Sequence, residues 1–167
     1  ADPEIGGLFG ICQQVVDRSD MELAIDLMSR NAAIERVLTV VARYAERTGA
    51  GQRCQVIWWP EGETRIEVAP DSAPLPEPPT TMVETTRSTR AAQQLSRSSA
   101  TPEQAAELFA EYAVLWTAPV LAPEGRDVLG VMAIWGEVEF DLVLKQADHP
   151  AIRLATLALV DHRYKSM

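Results

Sequence analysis

The sequence predicts an α+β domain built on one antiparallel sheet, with helices behind it and a pocket in front. Three observations carry that expectation. Between Tyr112 and Trp135, the run Tyr-Ala-Val-Leu-Trp-Thr-Ala-Pro-Val-Leu and the run Val-Leu-Gly-Val-Met-Ala-Ile-Trp flank Ala-Pro-Glu-Gly-Arg-Asp. Two apolar, β-branched segments around a loop of turn formers are a hairpin signal. A second hairpin is expected from Gln52–Trp59, the turn Pro60-Glu61-Gly62-Glu63 and the alternating stretch Thr64–Val68. Helical periodicity flanks both hairpins, and hairpins with helices on the outside form a layered α+β domain.

Taken in order, the chain begins with Ile5, Leu8, Phe9, Cys12, Val15 and Val16 at three- and four-residue intervals. That is an amphipathic helix with a seam usable for coiled-coil contact, weakened by Gly6, Gly7 and Gly10. Residues 1–20 are read as a leading helix or linker, and 21–167 as the domain. Ser19 or Asp20 caps a second helical stretch carrying Met21, Leu23, Ile25, Leu27 and Met28. The helix expected over Asn31–Thr48 places Ile34, Val37, Leu38, Val41, Tyr44 and Ala45 on one face, with Gly49 and Gly51 as its stop. This opening serves either core packing or a dimerising, signal-carrying role.

Five prolines between Pro70 and Pro79 leave no room for a regular element, so a long crossover starts there. Thr80–Arg97 has few apolar anchors (Met82, Val83, Leu95) and reads as a loosely docked helix or a partly disordered stretch. Thr101-Pro102-Glu103-Gln104 is a strong helix start, with Thr as cap, Pro at the first helical position and Gln placed for a capping box. Asp148-His149-Pro150 opens a final helix whose apolar positions include Ile152, Ala155 and Leu159.

At 167 residues the chain is the size of one domain, and a formal net charge of -9 disfavours nucleic acid or an anionic membrane as partner. Arg87, Arg90 and Arg97 read as a solvated helix face. Cys12 and Cys54 are the only cysteines, too few for a disulfide framework and in keeping with a reducing cytosol. No apolar run approaches the length needed to span a bilayer.

The segments Leu115–Leu121 (Leu-Trp-Thr-Ala-Pro-Val-Leu), Glu124-Gly125-Arg126 and Val128–Trp135 resemble the GAF domains of bacterial multidomain signalling proteins, those of cyclic-di-GMP turnover, sensor kinases and transcription regulators. Arg-Cys-Gln-Val-Ile-Trp-Trp, following the Asn31–Thr48 helix, suits the family's first strand, and the resemblance covers roughly Met21 to Lys165. It implies a GAF-like central antiparallel sheet with the N- and C-terminal helices packed on one face and a crossover segment over the other. It also implies a small-ligand pocket under the crossover and pairing of terminal helices between subunits. Two departures stand out. Pro78–Ala100 has no glycine where family members with a built pocket often approach the ligand, and no cysteine where a bilin would be linked.

Candidate chemistry is sparse. His149 and His162 are the only histidines, short of the three or four ligands a metal site wants. Glu61, Glu63, Glu137, Glu139 and Asp141 read as solvent-facing strand and turn residues. No nucleophile–base pair and no phosphate-cradling glycine loop is present, so an enzyme is not expected. The tryptophans are more informative. Trp58 and Trp59 are adjacent in a strand and must face opposite sides of the sheet. Strand aromatics are usually core. A sheet face carrying such rings also suits a planar or hydrophobic molecule. The candidate pocket residues are Trp58, Trp59, Tyr112, Trp116, Thr117, Met132 and Trp135, with no cofactor named. The expected function is a cytoplasmic, homodimeric sensory domain that binds a small molecule or relays a signal to an attached output domain. The alternative is a structural dimerisation module whose pocket is filled by its own side chains.

Overall fold

The computed structural model describes residues 20–47, 52–59, 66–68, 75–124, 127–137 and 150–165. The leading helix over Ile5–Val16, the Gly49/Gly51 stop, the turns at Pro60–Glu63 and Gly125-Arg126, and the Asp148-His149 start lie outside the described residues.

A helix over residues 20–29 (α1) is followed by α2 (Ile34–Arg47), then β1 (Gln52–Trp58) and β2 (Ile66–Val68). The crossover carries α3 (Thr80–Thr89), β3 (Gln93–Ser96) and α4 (Pro102–Leu108), and β4 (Val114–Leu121), β5 (Val128–Gly136) and α5 (Pro150–Lys165) complete the order. The sheet runs β2-β1-β5-β4-β3 and every pairing is antiparallel. Both expected hairpins are present, and β5 joins them by pairing with β1 as well as β4.

β3 was not anticipated. Gln-Gln-Leu-Ser lacks β-branched residues, yet it pairs Gln93–Ser96 with Thr117–Val114 along the outer edge of β4. That pairing ends at Thr117, so Pro119, two residues on, has no described neighbour on that side. A ring that cannot donate to a ladder is tolerated there, and the register shifts at Val120/Leu121 just beyond it.

The helix boundary at Asn31 is also corrected. Asn31 does not start α2; it ends α1, with φ of 58°. Its N–H bonds Met28 O at 3.1 Å, and Ala32 N–H bonds Leu27 O at 3.0 Å. This is the Schellman closure, and asparagine accepts the left-handed position better than most residues. Asp20 is likewise no simple cap, because its buried carboxylate holds the Arg47 guanidinium at 2.7 Å.

α2 buries all six apolar residues named for its core face. Together with Ala24, Leu27 and Met28 of α1 and Ile152, Leu154, Ala155, Ala158 and Leu159 of α5, they pack on one face of the sheet. Burying a side chain such as Leu38 contributes about 2 kcal/mol. Against the other face lie α3 and α4. α3 is firmly docked: Val83 and Thr86 have no more than 1% of their surface exposed, against the loose or disordered stretch expected. Of the three crossover arginines, Arg87 is in α3, while Arg97 follows β3 and bonds the carbonyls of Phe109 and Tyr112 at 3.1 and 2.7 Å. They form no common helix face.

Gly130 allows β5 to lie close to β1. A Cβ there would sit 2.7 Å from Ile57 O and 3.2 Å from Leu159 Cδ1. Gly130→Ala is expected to cost about 1–3 kcal/mol as the strands and α5 shift to make room, read as a lower urea midpoint at unchanged m-value.

Candidate functional site

Strict alternation along the three central strands sorts the side chains onto two faces. Cys54, Val56 and Trp58 of β1, Trp116, Ala118 and Val120 of β4, and Met132 and Ile134 of β5 face the helices. Gln55 and Ile57, Leu115 and Thr117, and Val131, Ala133 and Trp135 face the crossover.

The seven sequence candidates therefore do not share one face. Trp58, Trp116 and Met132 are core residues under the helices. Trp58 packs edge-on to the His162 ring at 5.3 Å. Trp59, Tyr112, Thr117 and Trp135 lie on the crossover side. The opposite pointing of Trp58 and Trp59 is as the adjacent positions require.

Five residues outside that candidate set complete the crossover side. Trp135 is fully buried, and its indole N–H donates to Gln55 Oε1 at 2.9 Å, while Gln55 Nε2 donates to Pro76 O at 3.0 Å. This ties the crossover backbone to β1 and β5. Phe109 and Tyr112 flank the same ring at 6.2 and 5.6 Å. Farther along the sheet, Thr86 Oγ1 donates to Met82 O at 2.9 Å and lies 2.7 Å from Thr117 Oγ1, so Thr117 supplies the proton of that contact. Val83 packs with Ile57 and Val131. At the margin the Arg87 guanidinium lies over the Trp59 ring, 4.2 Å from its centre. Gln55 carried a signal, since a lone amide in an apolar strand needs a partner once buried. Val83, Thr86 and Arg87 carried none, because the segment around them is polar.

Among the described residues no group of three or more His, Cys, Asp or Glu side chains could hold a metal ion, and no helix is long and apolar enough to cross a membrane. Cys54 faces the helices and is buried. Burial, and then the Glu46 carboxylate, push its thiol well above the ordinary range. Glu46 in turn accepts from Cys54 N–H and Arg53 Nε, each at 3.0 Å.

The chain superposes on known structures over most of its length. A GAF sensor protein from Burkholderia vietnamiensis superposes with a TM-score of 0.56 at 14% identity, covering 92% of this chain and 96% of that one. The fold is that of a GAF domain. The GAF region of a membrane protein from Geobacter sulfurreducens PCA gives a TM-score of 0.57 at 10% identity, over 83% of this chain and 99% of that one. A phycocyanobilin-bound GAF domain from a cyanobacterial phytochrome gives 0.57 at 10% identity, over 90% and 94%. Neither a protein-family model nor a curated protein matches the sequence.

Two outcomes follow from this GAF-like geometry. Trp135→Phe strands the buried Gln55 carboxamide oxygen and is expected to lower stability by about 1–3 kcal/mol in urea unfolding. In a Cys12→Ser background, Cys54 should resist a disulfide reagent at pH 8 and react at once when the protein is unfolded in guanidinium. Because its native pKa is raised, folding is favoured less as pH rises past the unfolded thiol pKa of about 8.5, and the midpoint of this variant should fall above that pH.

Proposed function

We propose that this chain is a sensory domain of the GAF type, which carries a small-molecule signal or relays one through its terminal helices in a homodimer to an attached output domain. The observation that carries the reading is the outward side of α5. Leu157 is 50% exposed and Tyr164 78% exposed, while the opposite side of the helix is buried against α2 and the sheet. The two lie seven residues apart and so on one stripe, with the partly buried Val160 between them. A stripe of this kind suits a partner helix.

For the ligand, the proposed contacts are Trp59, Tyr112, Thr117 and Trp135 on the crossover face, with Arg87 at its margin. That a phytochrome GAF domain of the same fold is bilin-bound supports a site on such a scaffold. A cytoplasmic location and residue 21 as the start of the domain belong to the same reading. One observation favours the alternative, a structural dimerisation module. Val83 and the Thr86–Thr117 pair already occupy the middle of that face.

Sedimentation over a concentration series tests the dimer. The unaltered chain should show a concentration-dependent dimer that Leu157→Glu with Tyr164→Glu abolishes without loss of helix content. A chain monomeric throughout the series ends the helix-relay reading. A thermal-shift screen of nucleotides, cyclic dinucleotides and hydrophobic metabolites separates the two readings. A ligand at a hundred times its Kd stabilises by about 2.7 kcal/mol. A hit that Trp59→Ala weakens supports the sensor, and a screen without hits leaves the structural module.

A further inference from the structure

A cavity of about 530 Å³ opens on the helix side of the sheet, between the α1–α2 turn and the last turns of α5. It lies across the sheet from the crossover-face ligand contacts proposed above, so it stands or falls apart from that ligand reading. The volume is in the range of small-molecule sites. Its inner wall is apolar: Met28 comes from α1, and Ile34 and Val37 from α2, all three buried. The rim is polar, formed by Asn31 on one side and by Asp161, His162 and Lys165 of α5 on the other.

The rim's hydrogen-bonding capacity is lopsided. Lys165 Nζ donates to Met28 O and pairs with Asp161 at 2.8 Å, so the carbonyl and the carboxylate at the mouth are both already engaged by the ammonium. An ammonium has three N–H groups, and two bonds leave a third. Asn31 stands opposite in its left-handed turn and is exposed, with an amide that can donate as well. A cationic guest would meet the Lys165 ammonium at the mouth, where the one rim carboxylate, Asp161, is already paired with it. An anionic one adds a bond without breaking any.

We propose that this cavity binds a small amphipathic monoanion, its apolar body against Met28, Ile34 and Val37 and its acidic head against Lys165 and Asn31. Such a guest bridges the α1–α2 turn and the end of α5, which Lys165 already joins through Met28 O.

Octanoate titrated into the full chain and followed by amide NMR is the test, with octyltrimethylammonium and octanol as counter-probes. Saturable shifts are expected at Asn31, Ala32 and Lys165, with octanoate bound roughly tenfold more tightly than either counter-probe, the size of one charge-assisted hydrogen bond. Lys165→Gln should weaken octanoate roughly tenfold and leave octanol unchanged. Ala33→Trp, placed at an exposed lining position, should abolish the shifts. The indole resonance of Trp135 reports that each variant is folded, and Ala33→Leu replaces Ala33→Trp if that resonance moves. Three results overturn the proposal: no saturable shift at these amides, equal affinity for the three probes, or octanoate binding unaltered by filling the cavity. Shifts confined to Thr86 and Thr117 would place octanoate on the crossover face instead, and would overturn it too.

Discussion

β4 and β5 sit between other strands and are buried on both faces, from Val114 to Val120 and from Gly130 to Gly136. A strand in this position cannot leave one side to water, so both faces of the sheet need cover. One face is covered by rods that are themselves amphipathic, and the match of apolar surfaces there needs little direction. The other is covered by a crossover whose apolar side chains, Val83, Leu108, Phe109 and Tyr112 among them, are set in a largely polar segment. Cover on that side is held by directed bonds at a few points: Gln55 to Pro76, Trp135 to Gln55, and Thr86 to Thr117. Inside a packed interior each such bond is strong, and each partner left alone is costly.

α3 shows how a polar segment becomes structural. Thr85, Thr86 and Thr89 each return the hydroxyl proton to the carbonyl four residues back, at 2.7, 2.9 and 2.6 Å. A threonine bonded in this way presents its methyl group outward and its oxygen as an acceptor. Thr86 can then be buried beside Val83 with its oxygen met by Thr117. The helix also ends without glycine, on Arg90 at φ of 55°. Hydrophobic counting gives such a segment no weight, although Val83 and Thr86 are as fully buried as the residues of the core helices.

What could be read in the sequence follows from this contrast. The α2 face, the two hairpins and the Thr101 capping box are local patterns, and each is present, the box with both its bonds at 3.0 and 3.2 Å. β3 could not be read, because Gln93–Ser96 is a strand only through β4's free edge. Asn31 was ambiguous, since the residue that tolerates a left-handed turn also sits well at a helix start. For the candidate site, alternation showed that Trp58 and Trp59 part company, but which face each takes depends on the neighbours of β1 in space. Trp116 and Met132 were misplaced for the same reason: period two sorts residues into sets without saying which set lies under the helices.

At the end of β1 the two layers meet neighbouring residues of the chain. Trp58 meets His162 of α5, and the next residue, Trp59, meets Arg87 of α3. One peptide bond therefore separates a ring held by the helix layer from a ring held by the crossover. The sheet between them is close-packed, with Gly130 admitting no extra atom between β5 and β1. Close-packed interiors deform little and pass displacement on to their neighbours. A shift of α3 that moved Arg87 would bear on Trp59, and through the strand end on Trp58, which packs against the last turns of α5. Position alone does not establish coupling between two sites. It does give a signal of the kind proposed one direct route from the crossover to α5, through a single strand end.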